Sequence, residues 1–189
     1  VDISYPRPRQ PNRAEPINDS DIDAVRALVN RSRGTLVPAI WAVTECSATS
    51  WEADNVSIED VDLVTHTIRF RDTGRGTGRV VKLDSWQYQR IADRVAVAKK
   101  NRLETLLYAK GASKQGKAIS ERVYQLLVRS GVKRDRPGVR ASSVRIWLGR
   151  KEFDETRRIE QVARVLGMRS LDSAAELIGF NWQGGEYLI

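Results

Sequence analysis

Arg145 is the residue best placed to do chemistry. It stands near the start of a helical pattern, SSVRIWLGR (142–150), and a Leu-Gly pair, Leu166-Gly167, follows two helices later. A guanidinium presents a planar fork of donors that matches two oxygens of a phosphate at once. Holding a phosphate is one use of such a group. Transferring it also needs a nucleophile and a proton donor. Those are scarce here: the chain has one histidine, His66, and one cysteine, Cys46, and residues 139–182 hold no tyrosine, the next being Tyr187.

The charge pattern points to a polyanionic partner. The 189 residues carry a formal net charge of +8, and a basic balance suggests nucleic acid before an anionic membrane. From Lys99 to Arg150 there are 14 Lys or Arg against Glu104, Glu121 and Asp135, so this stretch holds a net +11 and the rest is acidic. A solvated helix face mixes signs, so such segregation favours a surface facing DNA. One cysteine excludes an intrachain disulfide and a thiolate metal site, and Cys46 reads as a small core residue. The chain has no apolar run of about 18 residues and no signal-peptide pattern, so a cytoplasmic protein, nucleoid-associated in a bacterium, is expected.

The elements that must position Arg145 read as follows. Residues 1–16 hold four of the six prolines with Arg7, Arg9 and Arg13, and form an arm or linker ahead of one domain over 17–189. A start at Val1-Asp2 rather than Met reads as a fragment of a longer protein. Residues 18–21 offer caps for a helix carrying Ile22, Val25 and Val29, and 36–53 read as one apolar helix with Pro38 in its first turn. Between Val56 and Leu83 the period changes to two around the turn Asp72–Gly78, giving an antiparallel sheet of two or three strands. Asp84-Ser85 caps a helix to Ala98, Leu106–Tyr108 is a brief strand or turn, and residues 110–117 are a basic loop. Ser120 caps a helix ending at Ser130-Gly131, and helices over 140–150, 155–166 and 170–178 complete the chain. The fold class is mainly α with a small sheet (α+β).

From about Ile17 to Phe180 this order resembles the catalytic domain of tyrosine recombinases, the phage integrase family. The resemblance implies a helical bundle with a small antiparallel sheet, and transesterification of a DNA phosphodiester by a tyrosine. Two arginines, a hairpin lysine and two histidine-type residues hold and protonate the phosphate in that family. Matching its motifs leaves most of these positions degenerate. The first arginine lies in Gly-x-Arg-x-x-Glu, which here is Ser47-Ala48-Thr49-Ser50-Trp51-Glu52. Thr49 replaces the arginine, Glu52 is kept, and no Lys or Arg occurs from Thr35 to Ile68. The hairpin lysine falls at Gly74 or Arg75, and a guanidinium holds its proton too firmly to be a good acid near neutrality. His-x-x-Arg becomes Ser142-Ser143-Val144-Arg145, so the arginine survives. The residue after Leu166-Gly167 is Met168, and the tyrosine register lands on Leu177. His66, in the turn before the hairpin, and Tyr187, ten positions too late, restore neither role.

Other features have plainer readings. Trp41, Trp51 and Trp147 are expected in the core, with Trp86 and Trp182 as surface anchors. The Gly74–Gly78 turn opens into a strand and lacks a Gly-Lys-Thr/Ser ending, which argues against a nucleotide loop. Residues 156–177 fit a helix-turn-helix locally, within the recombinase register.

The sequence therefore implies a catalytically inactive, recombinase-like protein that binds double-stranded DNA as an accessory or regulatory factor in recombination or integration. No cofactor and no metal are expected. The DNA-facing candidates are Arg75, Lys114, Lys117, Arg122, Lys133, Arg134, Arg136, Arg140 and Arg145, with Arg129 and Arg150 along the same surface. An active recombinase is a further partner, or self-association through the tail ending Tyr187-Leu188-Ile189. Two alternatives stay open: a divergent active recombinase with a relocated or trans-donated tyrosine, and a protein-interaction module on the same fold.

Overall fold

A computed structural model describes residues 14–72, 74, 76–108, 117–181 and 185–187. Helix α1 (Asp19–Asn30) starts where Asn18 accepts from the Asp21 amide and Asp21 reaches back to the Asn18 amide, a reciprocal cap that satisfies two helix-end donors. Its Ile22, Val25 and Val29 face the core. Helix α2 (Leu36–Glu45) is the centre of the molecule, buried from Pro38 to Glu45. It packs against α1, α4 (Ser85–Lys100), α5 (Lys117–Arg129) and α7 (Ser143–Thr156). Fully burying side chains such as Ile40 and Val43 is worth about 1.5–3 kcal/mol each.

The expected single helix over 36–53 is in fact two. The chain turns at Cys46–Thr49, where Ser47 takes φ +67, and resumes as α3 (Ser50–Asn55). Thr49 is the cap of that second helix. Its hydroxyl accepts from the Glu52 amide at 3.2 Å, and its own amide donates to Glu52 at 2.7 Å. This break turns Trp51 outward, 46% exposed, against the expectation of a core tryptophan. Trp41 is fully buried, and Trp147 is half-buried with its indole N–H on Asp19 at 2.7 Å.

The sheet has three antiparallel strands, β1 (Val61–Asp62), β2 (Thr67–Phe70) and β3 (Arg79–Lys82), in that order. Extended structure was expected from Val56, but Asp60 caps Ser57 instead and winds Ile58–Asp60 into a 3₁₀ turn. In the β2–β3 register Ile68 faces Val81 and Phe70 faces Arg79. Ile68, Phe70 and Arg79 are all buried. Leu106 and Leu107 form a bend buried under α4, where Arg94 donates to both of their carbonyls at 2.8 and 2.7 Å.

In the C-terminal half, α5 begins at Lys117, so Ser120 lies inside its first turn. Its hydroxyl pairs with that of Ser50 at 2.6 Å rather than capping the helix. A short α6 (Val132–Asp135) precedes α7, which runs on through Glu155. The next helix, α8, is accordingly Ile159–Leu166, and α9 (Leu171–Ile178) is capped by Ser170. Gly167 ends α8 at φ +65, a left-handed turn that costs glycine little. Strands β4 (Phe180–Asn181) and β5 (Glu186–Tyr187) pair where the sequence reads as a plain tail. They close a second small core of Phe153, Val162, Leu166, Ala174 and Ile178.

Of the expected arm, residues 1–13 lie outside the described residues. Residues 14–16 are held against the turn before α7: Glu15 and Gly138 exchange bonds at 3.1 Å, and Arg136 donates to the Pro16 carbonyl at 3.1 Å.

Candidate phosphate-facing recess

Arg145 sits in the first turn of α7, half-buried, and its Nη2 donates to the Leu166 carbonyl at 2.5 Å. That carbonyl belongs to the last turn of α8, where helix-end acceptors lack partners of their own. The Arg145 Nε is buried with no partner among the described residues. Burial, with the neighbouring Arg79 charge added, pushes the guanidinium down to about 10, and Glu52 partly offsets this. A cation with an unsatisfied buried donor is costly on its own and favours an anion beside it.

Such an anion has a place to sit. Arg145 lines a recess of about 150 Å³ with Thr44, Ala48, Thr49, Ser50, Ile119, Val123, Ala141 and Ser142. Two degenerate motif positions and the surviving arginine thus come together, because the α2–α3 turn carries Thr49 and the start of α7 carries Ser142 and Arg145. Among the described residues, no carboxylate and no tyrosine lines it. Ser142 is exposed and makes no side-chain cap bond. The Thr49 hydroxyl is engaged by the Glu52 amide.

Behind this recess lies a residue the motif comparison missed. Arg79 points inward from β3 and is buried. Its Nη1 and Nη2 hold Glu52 at 2.6 and 3.1 Å. Its Nε donates to the Ser47 hydroxyl at 3.1 Å, and its Nη2 also to the Ser47 carbonyl at 3.0 Å. The Ser47 hydroxyl in turn donates to the Val165 carbonyl at 2.7 Å, and the Thr77 amide donates to the Gly167 carbonyl at 2.9 Å. The hairpin, the α2–α3 turn and the end of α8 are therefore tied at one polar centre. A Cβ on Gly167 would lie 2.4 Å from Arg79 Nη1 and 3.0 Å from the Thr77 carbonyl, so this glycine is required by space as well as by φ. Burial alone would raise the Glu52 carboxyl, but the Arg79 bonds and charge, with the Thr49 bonds, hold it below its ordinary range. The available signal was register: opposite Phe70 on the inward face, an arginine must find a buried carboxylate.

The remaining motif positions lie elsewhere. Met168 and Leu177 pack on the small C-terminal core. Gly74 is exposed at φ +72, and its amide donates to Asp72 at 2.8 Å. His66 stacks on Tyr88 with ring centroids 4.0 Å apart. The Tyr187 hydroxyl donates to Asp154 at 2.9 Å, its ring lies 4.6 Å from the Arg150 guanidinium, and burial then Asp154 push it up to about 12. A phenol held this way is a poor nucleophile.

The basic candidates divide in two. Lys117, Arg122, Arg129, Arg134 and Arg140 are exposed, Arg134 beside its neighbour Asp135 at 2.9 Å. Lys133 and Arg136 serve the fold. Lys133 donates to the carbonyls of Pro137 and, at 2.8 Å, Val139, while Arg136 pairs with Asp21 at 3.3 Å and binds Pro16. Arg150, expected on the basic surface, binds the Ile178 carbonyl at 2.8 Å. Arg75 and Lys114 lie outside the described residues. Among those residues no helix is long and apolar enough to cross a membrane.

No protein-family model and no curated protein sequence matches the chain. Solved structures do. A XerA recombinase superposes with TM-score 0.76 at 15% identity over 95% of this chain and 63% of its own. A XerH site-specific recombinase, in a post-cleavage complex with a palindromic difH substrate, gives 0.71 at 15% over 95% and 53%. The Tn1549 transposon integrase, in complex with transposon right end DNA, gives 0.66 at 10% over 98% and 66%. The chain thus spans between about half and two thirds of those chains, and over that span it carries the fold shared by these tyrosine recombinases and integrases.

Proposed function

We propose that this chain binds duplex DNA on a tyrosine recombinase fold without cutting it, as an accessory or regulatory factor in recombination or integration. The observation that carries the reading is the recess itself. It offers a half-buried guanidinium whose Nε is enclosed and unused, and among the described residues its lining provides neither a tyrosine nor a second titratable group. That chemistry suits holding a backbone phosphate. Among the described residues the recess lacks the tyrosine nucleophile and the acid or base that would activate a hydroxyl for transfer. Exposed Lys117, Arg122, Arg129, Arg134 and Arg140 supply the long-range attraction that duplex binding requires. The solved neighbours held on DNA substrates add support by analogy of fold.

Two measurements test this. Duplex affinity, read by fluorescence anisotropy, should fall steeply with salt, and Arg145→Met should weaken it by about tenfold, the order of one charged phosphate contact. A duplex carrying a 5′-bridging phosphorothiolate should trap no covalent protein–DNA adduct. An adduct lost on Tyr187→Phe would establish the active-recombinase alternative, and absence of any duplex binding at low salt would leave the interaction-module reading.

A further inference from the structure

We infer that Arg79 is a positioning residue that keeps the recess open to anions by occupying Glu52, which would otherwise pair with Arg145. This rests on the reading of the recess as a phosphate site. Among the described residues, two charged groups act on Arg145 at the recess. Arg145 lines the cavity, and Arg79 and Glu52 stand behind it, close enough that each bears on the Arg145 guanidinium. Glu52 is the carboxylate that acts on Arg145 there, and both of its oxygens are taken, Oε1 by Arg79 Nη1 and Oε2 by Arg79 Nη2 and the Thr49 amide. With Glu52 neutralised by Arg79, the net charge left at the recess is that of Arg145, whose Nε is unbonded.

Remove the Arg79 charge and the balance reverses. Glu52 becomes a buried carboxylate without its cation, and Arg145, on which its charge already acts and whose Nε is unbonded, offers a replacement. An Arg145–Glu52 pair would satisfy both groups internally and leave nothing to attract a phosphate. Arg79 therefore governs anion binding without lining the cavity. The sequence motif places the cation and its carboxylate three residues apart on one helix; here the helix keeps Glu52, and the cation arrives from the strand.

The rescue pattern separates this role from a merely structural one. The probe is inorganic phosphate, followed through the Arg145 Nε–Hε cross-peak in ¹⁵N-edited spectra and assigned by its loss in Arg145→Lys. In the wild type that peak moves on titration. Arg79→Met should weaken the response by about tenfold or more, and Arg79→Met/Glu52→Gln should restore it to within about threefold, since the competing carboxylate is gone. Glu52→Gln alone leaves two cations and should tighten binding by about threefold or more. It also serves as the decisive variant should Arg79→Met not fold. An unaltered response in Arg79→Met, a folded double variant as weak as the single one, or a Glu52→Gln protein binding no tighter than wild type overturns the inference. A wild-type peak that does not move with phosphate sinks the recess reading itself, a distinct result.

Discussion

Positive charge gathers at two places in this molecule, and the two use it differently. Around Arg79, buried, and Arg145, half-buried, the guanidiniums donate to named acceptors and fix how the hairpin, the α2–α3 turn and the end of α8 meet. Along α5 to the start of α7 the cations stand mostly in water, yet Lys133 and Arg136 are drawn inward to hold a turn and the N-terminal segment. A charge count treats all of these alike. Burial separates them: an enclosed cation is costly until acceptors or an anion meet it, whereas an exposed one costs almost nothing.

The sharpest way to break the comparison is to delete the central guanidinium. Arg79→Ala leaves Glu52 enclosed without its cation and the Ser47 carbonyl without its donor. Removing one member of such a pair costs about 3–5 kcal/mol, which chemical denaturation will read directly. The same pair has a pH signature. Glu52 is held below its ordinary range in the folded state, so its contribution is present above the unfolded value of 4.5 and is lost as pH falls through the lower folded one. Wild-type stability should drop across that acid window, and Glu52→Gln should flatten the drop. An unchanged acid limb in Glu52→Gln would mean that the carboxylate does not carry the acid sensitivity.

Gly167→Ala tests the close approach next to that pair. The methyl would enter within 2.4 Å of Arg79 Nη1 in a left-handed turn at φ +65. Strain of this kind costs about 1–3 kcal/mol, and the neighbouring Arg79 must shift to relieve it. Gly74→Ala is the matched control, since φ is +72 there but nothing lies within 4 Å. It pays for backbone strain alone and should lose less. Equal losses would show that the contact with Arg79 is unimportant.

Much of this arrangement could be read from the chain. The helical order and a small antiparallel sheet of two or three strands follow from period, caps and turn glycines, the spacing of Arg145 from Leu166-Gly167 follows from the family resemblance, and the bond between them is visible only in the fold. What escaped was non-local. Ser47 breaks the apolar helix because its hydroxyl is wanted by Arg79 and by the Val165 carbonyl, 32 and 118 residues away in the chain. No pattern within the LVPAIWAVTE run signals that demand. Arg79 itself looked like one more basic residue beside a glycine-rich turn, since its meaning depends on strand register. The tail pairing of Phe180 with Tyr187 was hidden for the opposite reason: two residues per strand are too few to show a period.

The smallest effects sharpen the other side of the comparison. Reversing Arg122 or Arg134 to Glu should leave the melting temperature close to that of the wild type, because both are exposed, and each should weaken duplex binding while lowering its salt dependence. Reversing Lys133 or Arg136 should behave otherwise. Each loses hydrogen bonds to backbone carbonyls, and Arg136 also loses Asp21, so stability should fall by about 1 kcal/mol or more. Paired measurements of melting and anisotropy for the four variants form one test. If Lys133→Glu and Arg136→Glu melt like wild type, the turn does not need its cations, and the division between fold-holding and DNA-facing charge drawn along this surface collapses. If Arg122→Glu and Arg134→Glu bind DNA like wild type, the exposed cations on α5 and α6 are ordinary solvated charges and the duplex meets another face.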